Sequence, residues 1–168
     1  MKLRHVLLAT LAAAAAGCGT YTWRPSVPQE MRTVCVPVFR NEGAVASLGD
    51  EVARQVLREL QREGTFRIAR PDEAAVEVQG SVKAGDPDVV AYERRTGSRI
   101  RERSLKATAT VSFIDKRSGR VLVDGRRYSA RVTFASGEDT LTGARDASAR
   151  LAEELAREIA DDLVAWNF

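Results

Sequence analysis

The chain has 168 residues, of which 44% are hydrophobic, 29% charged and 6% aromatic. That balance suits one compact core and is short for two, while 5 Pro and 12 Gly exclude a collagen-like or disordered chain. The formal charge of +3 includes Lys2 and Arg4, which lie in a leader; without them the basic surplus is a single charge, too small for a nucleic-acid binder. The single His, His5, lies in the same leader, so the mature chain has no histidine for catalysis or metal ligation.

Met1 to Arg4 carries two positive charges, and Val6 to Ala16 is an uncharged run. A membrane-spanning helix needs about 20 apolar residues. This run is too short and reads as a secretory signal peptide. Ala15-Ala16-Gly17-Cys18-Gly19 then forms a bacterial lipobox, with Ala15 where Leu is usual. In such a box the Cys18 thiol becomes a thioether to diacylglycerol and its freed amine is acylated. Each buried CH₂ adds about 0.8 kcal/mol, so two or three chains hold firmly where one holds marginally. The alternative is a plain cleaved signal peptide with Cys18 a structural thiol. The expected division is a signal peptide over residues 1–17, a lipidated tether over 18–31 and a single α/β domain over 32–168. Cys35, between Val34 and Val36, reads as a small buried hydrophobe, because no base is at hand to activate it.

In the tether, Tyr21 and Trp23 are placed to pack on the domain or near lipid headgroups. Arg32–Phe39 predicts a first strand covered on both faces, with Pro37 marking a bulge or an edge. Ser47, three residues before Asp50, predicts a capped helix start. Leu48, Val52, Val56 and Leu60 supply the apolar stripe, and Gly64 closes the helix. Thr65–Ala69 reads as a second strand, followed by a turn at Arg70-Pro71-Asp72. Val76, Val78, Gly80 and Val82 alternate with polar residues as a third strand, resuming as Val89–Arg95 after Gly85-Asp86-Pro87.

Leu105, Ala107, Ala109, Val111 and Phe113 alternate with Lys106, Thr108, Thr110 and Ser112, a half-buried strand. Asp115 to Gly119 reads as the hairpin loop. The return strand changes apolar parity between Val121-Leu122-Val123 and Tyr128-Ala130-Val132-Phe134, which predicts a bulge near Gly125. From Glu138 a long helix carries Leu141, Ala144, Leu151, Leu155, Ile159 and Leu163 as a narrow stripe, with Glu153 and Arg157 exposed. The fold class this implies is α+β, two α-helices packed on one face of a mixed four- to five-stranded β-sheet.

Chemistry-bearing motifs are sparse. The carboxylates fall on helix faces or in turns (Asp72, Asp86, Asp88, Asp115) and read as a solvated surface rather than a hydrolase pair. Neither a phosphate-binding glycine loop nor a nucleophile elbow is present. The sequence therefore reads as a non-enzyme with no metal site. Between Glu93 and Lys106, six cations (Arg94, Arg95, Arg99, Arg101, Arg103 and Lys106) face two acids around a Thr96-Gly97-Ser98 turn. Arginine pairs with phosphate through two parallel hydrogen bonds, so this hairpin is a candidate site for an anionic lipid headgroup. The bland alternative is an edge hairpin kept soluble by charge.

Gly17-Cys18-Gly19-Thr20-Tyr21-Thr22-Trp23-Arg24-Pro25 and Thr33-Val34-Cys35-Val36-Pro37-Val38-Phe39-Arg40-Asn41 resemble segments of the lipopolysaccharide-assembly lipoproteins, the LptE family. The strand Ala75-Val76-Glu77-Val78-Gln79-Gly80, the hairpin Phe113 to Gly119 and the long C-terminal helix extend the resemblance over essentially the whole mature chain. Arg40, where an acid is common, and Ala75-Val76, which lacks the acid of that strand, depart from the pattern.

The resemblance implies two helices on a four-stranded mixed sheet and a non-enzymatic role in lipopolysaccharide export. Its expected partners are the outer-membrane β-barrel LptD, lipopolysaccharide, and outer-membrane lipid through the acyl anchor, with no nucleic acid. The lipopolysaccharide-binding candidates are Arg94, Arg95, Arg99, Arg101, Arg103 and Lys106. No cofactor is expected beyond the covalent diacylglycerol and N-acyl groups at Cys18. The expected location is the outer membrane, lipid-anchored, on the periplasmic side or inside the barrel lumen. The alternative is a periplasmic scaffold lipoprotein that activates a peptidoglycan synthase or forms a secretion assembly, since the first strand and helix suit that class too.

Overall fold

A computed structural model describes residues 27–93, 99–135 and 140–166. The expected leader, Cys18, Tyr21, Trp23, Arg94 and Arg95 lie outside the described residues. After a short 3₁₀ turn at Gln29–Met31 come β1 (Thr33–Cys35), β2 (Arg40–Asn41), α1 (Leu48–Glu63), β3 (Arg67–Ile68) and β4 (Val76–Ala84). They are followed by β5 (Asp88–Glu93), β6 (Arg99–Asp115), β7 (Arg120–Ala135) and α2 (Thr140–Ala165).

All the strands join one mixed sheet. β1 pairs in parallel with β3 and β4, and β2 continues the same edge of β4. β4 and β5 lie end to end along one edge of β6, antiparallel to it, and β7 runs along the other edge. Across its width the sheet is therefore β3, then β1 with β2, then β4 with β5, then β6, then β7. This is the expected four to five strands, read as seven segments because two of them are interrupted.

The first interruption follows from Pro37, which has no N–H to donate to a ladder. β1 stops at Cys35 and pairing resumes only at Arg40. The intervening loop turns Phe39 into the core, where it is 2% exposed. Its ring lies over Gly80, at which a Cβ would stand 2.7 Å from the ring edge. Gly80 is thus the recess that receives Phe39.

Leu48, Val52, Val56 and Leu60 of α1 are buried as their spacing predicts. Gly64 ends the helix in the left-handed region at φ 83°, its N–H donating to the Leu60 carbonyl. The start of α1 differs from expectation. Ser47 makes no side-chain cap and itself adopts φ 61°. The tight turn there brings Gly49 against the chain leaving β1, where a Cβ would lie 2.2 Å from the Phe39 carbonyl oxygen. Close backbone packing wins over a cap hydrogen bond.

On β6, Leu105, Ala107, Ala109, Val111 and Phe113 are all within 1% exposure and face the helices. Gly119 closes the β6–β7 hairpin at φ 71°. The bulge expected near Gly125 is present. Val111 opposes Arg126 but Phe113 opposes Val123, and Gly125 sits at φ 57° with its N–H on the Ser112 hydroxyl, 3.0 Å away. A second slip follows directly, between Phe113 and Ile114.

The buried surface of α2 is broader than the expected narrow stripe. Ala147, Ala152, Ala156 and Ala160 are buried beside Leu151, Leu155, Ile159 and Leu163. Alanine at these positions lets α2 lie close against both α1 and the β6–β7 ribbons, with which it packs. Val27 and Met31 also join the core, so the end of the expected tether packs on the domain.

Candidate binding surface

The cationic hairpin predicted between Glu93 and Lys106 exists as the β5–β6 pair, with Glu93 opposite Arg99 and Val89 opposite Arg103. Arg99, Arg101 and Arg103 stand at alternate positions of β6. By strand alternation Lys106 takes the opposite face from Arg103. Arg103 shares the parity of Leu105. It is part-buried, and its Nε is enclosed with no hydrogen-bond partner among the described residues. Lys106 is exposed on the face away from the helices. Arg103 and Lys106 thus stand on different surfaces.

That second face is an open sheet surface. Glu77, Gln79, Ser81 and Lys83 of β4 oppose Ile114, Ser112, Thr110 and Thr108 of β6. In turn Thr110, Thr108 and Lys106 oppose Arg127, Ser129 and Arg131 of β7. Lys83, Lys106, Arg127 and Arg131 are exposed. The Thr108 and Ser129 hydroxyls hydrogen-bond at 3.1 Å between them. Lys106 and Arg131 are directly opposed like charges. At one end Pro37 and Val38 stand out beside Arg40, Gln79 and Ser112 around a shallow cavity, and Val38 is 68% exposed.

Sequence reasoning singled out Lys106 but missed Lys83, Arg127 and Arg131. The alternation on β6 was visible. What hid Arg127 and Arg131 was the register of β7, which is shifted twice between the turn and Arg127.

Several other charged groups have structural duties. Asp162 of α2 accepts the Tyr128 hydroxyl at 2.6 Å and the Arg126 guanidinium, tying β7 to the helix. Burial first, then this carboxylate, pushes the Tyr128 hydroxyl far above its ordinary pKa. Asp115 is buried in its own turn. It accepts the Arg117 N–H at 2.9 Å and the Ser118 hydroxyl at 2.5 Å, and chiefly the latter holds its carboxyl below the usual range. Glu77 is lowered in the same sense by Gln79 and Lys116. Asp72, Asp86 and Asp88 are exposed, as expected of a solvated surface. Cys35 is a buried free thiol, 4% exposed, and burial raises its pKa. Among the described residues no cluster of acidic, Cys or His side chains could hold a metal.

A helix-backed mixed sheet that offers one open polar face and a cationic hairpin defines a domain built to present surfaces. The family model for lipopolysaccharide assembly, LptE, matches residues 31–165, and the chain belongs to that family. LptE proteins are outer-membrane lipoproteins rather than enzymes, and among the described residues no helix is long and apolar enough to cross a membrane.

Solved structures share the fold. A lipoprotein from Caulobacter crescentus CB15 is 22% identical, with a TM-score of 0.53 over 77% of this chain and 89% of that one. The minor lipoprotein of Acinetobacter baumannii is 14% identical, with a TM-score of 0.54 over 80% and 94%. A homologue of neuraminyllactose-binding hemagglutinin from Helicobacter pylori is 10% identical, with a TM-score of 0.54 over 82% and 86%. Among curated proteins, none matches this sequence.

Proposed function

We propose that the protein is a lipid-anchored component of lipopolysaccharide export that seats inside the β-barrel LptD and binds lipopolysaccharide during its delivery to the cell surface. The observation that carries this reading is the LptE-family match across the folded domain, residues 31–165. In it, Cys18 bears the diacylglycerol and N-acyl groups, and the short tether leads directly into the core at Val27 and Met31. Two or more acyl chains give a firm anchor. The cationic β5–β6 hairpin is the lipopolysaccharide contact, through Arg94, Arg95, Arg99, Arg101 and Arg103, since guanidinium groups match phosphate geometry.

The test is a mild-detergent pull-down of the tagged full-length protein from its own outer membranes, with partners identified by mass spectrometry. A stoichiometric large β-barrel supports the reading. Recovery with a peptidoglycan synthase, or as a self-assembled ring, replaces it with the scaffold alternative. For the hairpin, Arg99→Ser, Arg101→Ser and Arg103→Ser together should weaken lipopolysaccharide binding with melting unchanged. Undiminished binding would remove the hairpin from the site.

A further inference from the structure

We infer that the open face of the sheet, at Lys83, Lys106, Arg127 and Arg131, is a docking surface for a protein wall lined with carboxylates. The inference rests on the plug reading and specifies which side of the domain meets the enclosing partner, and with what chemistry.

Four observations lead there. First, the four cations are neighbours on the face. Lys83 opposes Thr108, Lys106 opposes Arg131, and Arg127 opposes Thr110, so they ring the Thr108–Ser129 hydroxyl pair. Lys106 and Arg131 are one strand spacing apart, about 4.8 Å, and Arg127 lies four residues along β7 from Arg131, about 13 Å away. Second, none of the four makes an ion pair among the described residues, whereas the cations of α1 do: Arg54 with Asp50 and Glu51, Arg58 with Glu51, and Arg62 with Glu59. Third, Lys106 and Arg131 are like charges directly across a ladder, an arrangement that costs stability in the isolated domain. A carboxylate brought between them reverses the sign of that interaction.

Fourth, the four cations lie outside the concave part of this face. The shallow cavity on this face lies at its Pro37–Val38 end, and none of the four cations lines it. An array of cations and hydroxyls spread over three strands outside a cavity fits a broad macromolecular surface. Two copies of this chain cannot meet through the face, because each would present the same positive charge.

The experiment compares two charge-reversed sets of the full-length, tagged protein in the outer-membrane pull-down. One carries Lys83→Glu, Lys106→Glu, Arg127→Glu and Arg131→Glu. The other carries Arg58→Glu, Arg145→Glu, Arg150→Glu and Arg157→Glu, the same change of net charge on the helices. Expected is a loss of at least tenfold in co-purified barrel for the first set only, with its melting temperature kept. Equal recovery from both sets, or equal loss, overturns the proposal. Loss of binding to purified lipopolysaccharide with barrel capture intact would also overturn it, by making the face a glycolipid site. If the wild-type protein itself recovers no barrel, the plug reading falls and takes this inference with it.

Discussion

Strand β6 carries both surfaces of the molecule on alternate residues. Its odd positions from Leu105 to Phe113 are packed under the helices within 1% exposure, while its even positions, Lys106, Thr108, Thr110 and Ser112, face outward. The inward row is held by neighbours on every side: β4, β7 and α2 all touch it. The outward row has neighbours only within the sheet. Stability is therefore concentrated on one face, and residues on the other are free to answer to a different requirement.

The largest expected effect tests that division. Phe113→Ala leaves a cavity between β6 and the helices and should cost about 3–5 kcal/mol in denaturant unfolding. Thr108→Ala, five residues away on the outer face, should stay within about 0.5 kcal/mol, despite losing its bond to Ser129. Comparable losses would mean that the outer face is also load-carrying in the isolated domain.

Next comes Gly80→Ala. The added methyl meets the Phe39 ring at 2.7 Å, and the ring is too well buried to withdraw, so a cost of about 1–3 kcal/mol is expected. Phe39→Leu in the same chain should recover part of it. A double-mutant cycle showing no coupling would reject the claim that Gly80 is the recess for Phe39.

These two positions also show how far the sequence could be read. The alternation from Leu105 to Phe113 is a local signal and was legible, as were Gly64, Gly119 and the bulge at Gly125. The Phe39–Gly80 contact joins residues far apart in the chain, so periodicity carries no trace of it. The same holds at Gly49, whose approach to the Phe39 backbone displaced the cap expected of Ser47. On the binding side, charge density around the β5–β6 hairpin was visible in one dimension. Val123 and Tyr128 are five residues apart yet both buried, an odd separation that needs an extra residue, and the slip beyond Phe113 adds another. Without both, Arg131 could not be placed opposite Lys106.

A third expectation concerns acid. Glu77 and Asp115 lie at the hairpin end of the sheet, and both carboxyls are lowered below their ordinary values of 4.5 and 3.8. A lowered folded-state pKa contributes stability above the unfolded value and loses it as pH falls through the folded one. The unfolding midpoint should therefore decline on acidification from the region of the ordinary carboxylate values downward. Glu77→Gln should flatten part of that decline, since its bonds to Gln79 and Lys116 supply the shift. An unchanged acid profile in Glu77→Gln would assign the decline elsewhere.

The smallest effect bears most directly on what the open face is for. Lys106→Glu replaces a like-charge pair with an opposite-charge pair across β6 and β7, and should stabilise the isolated domain by about 0.2–1 kcal/mol at low ionic strength. The gain should shrink as salt approaches 1 M, where the screening length is about 3 Å. A substitution that improves the free domain while weakening capture of the partner would show that the cation at this position is kept for the complex. If Lys106→Glu instead destabilised the free domain, the Lys106–Arg131 juxtaposition would have a structural role of its own. The contrast between the two faces of β6 would then lose its meaning.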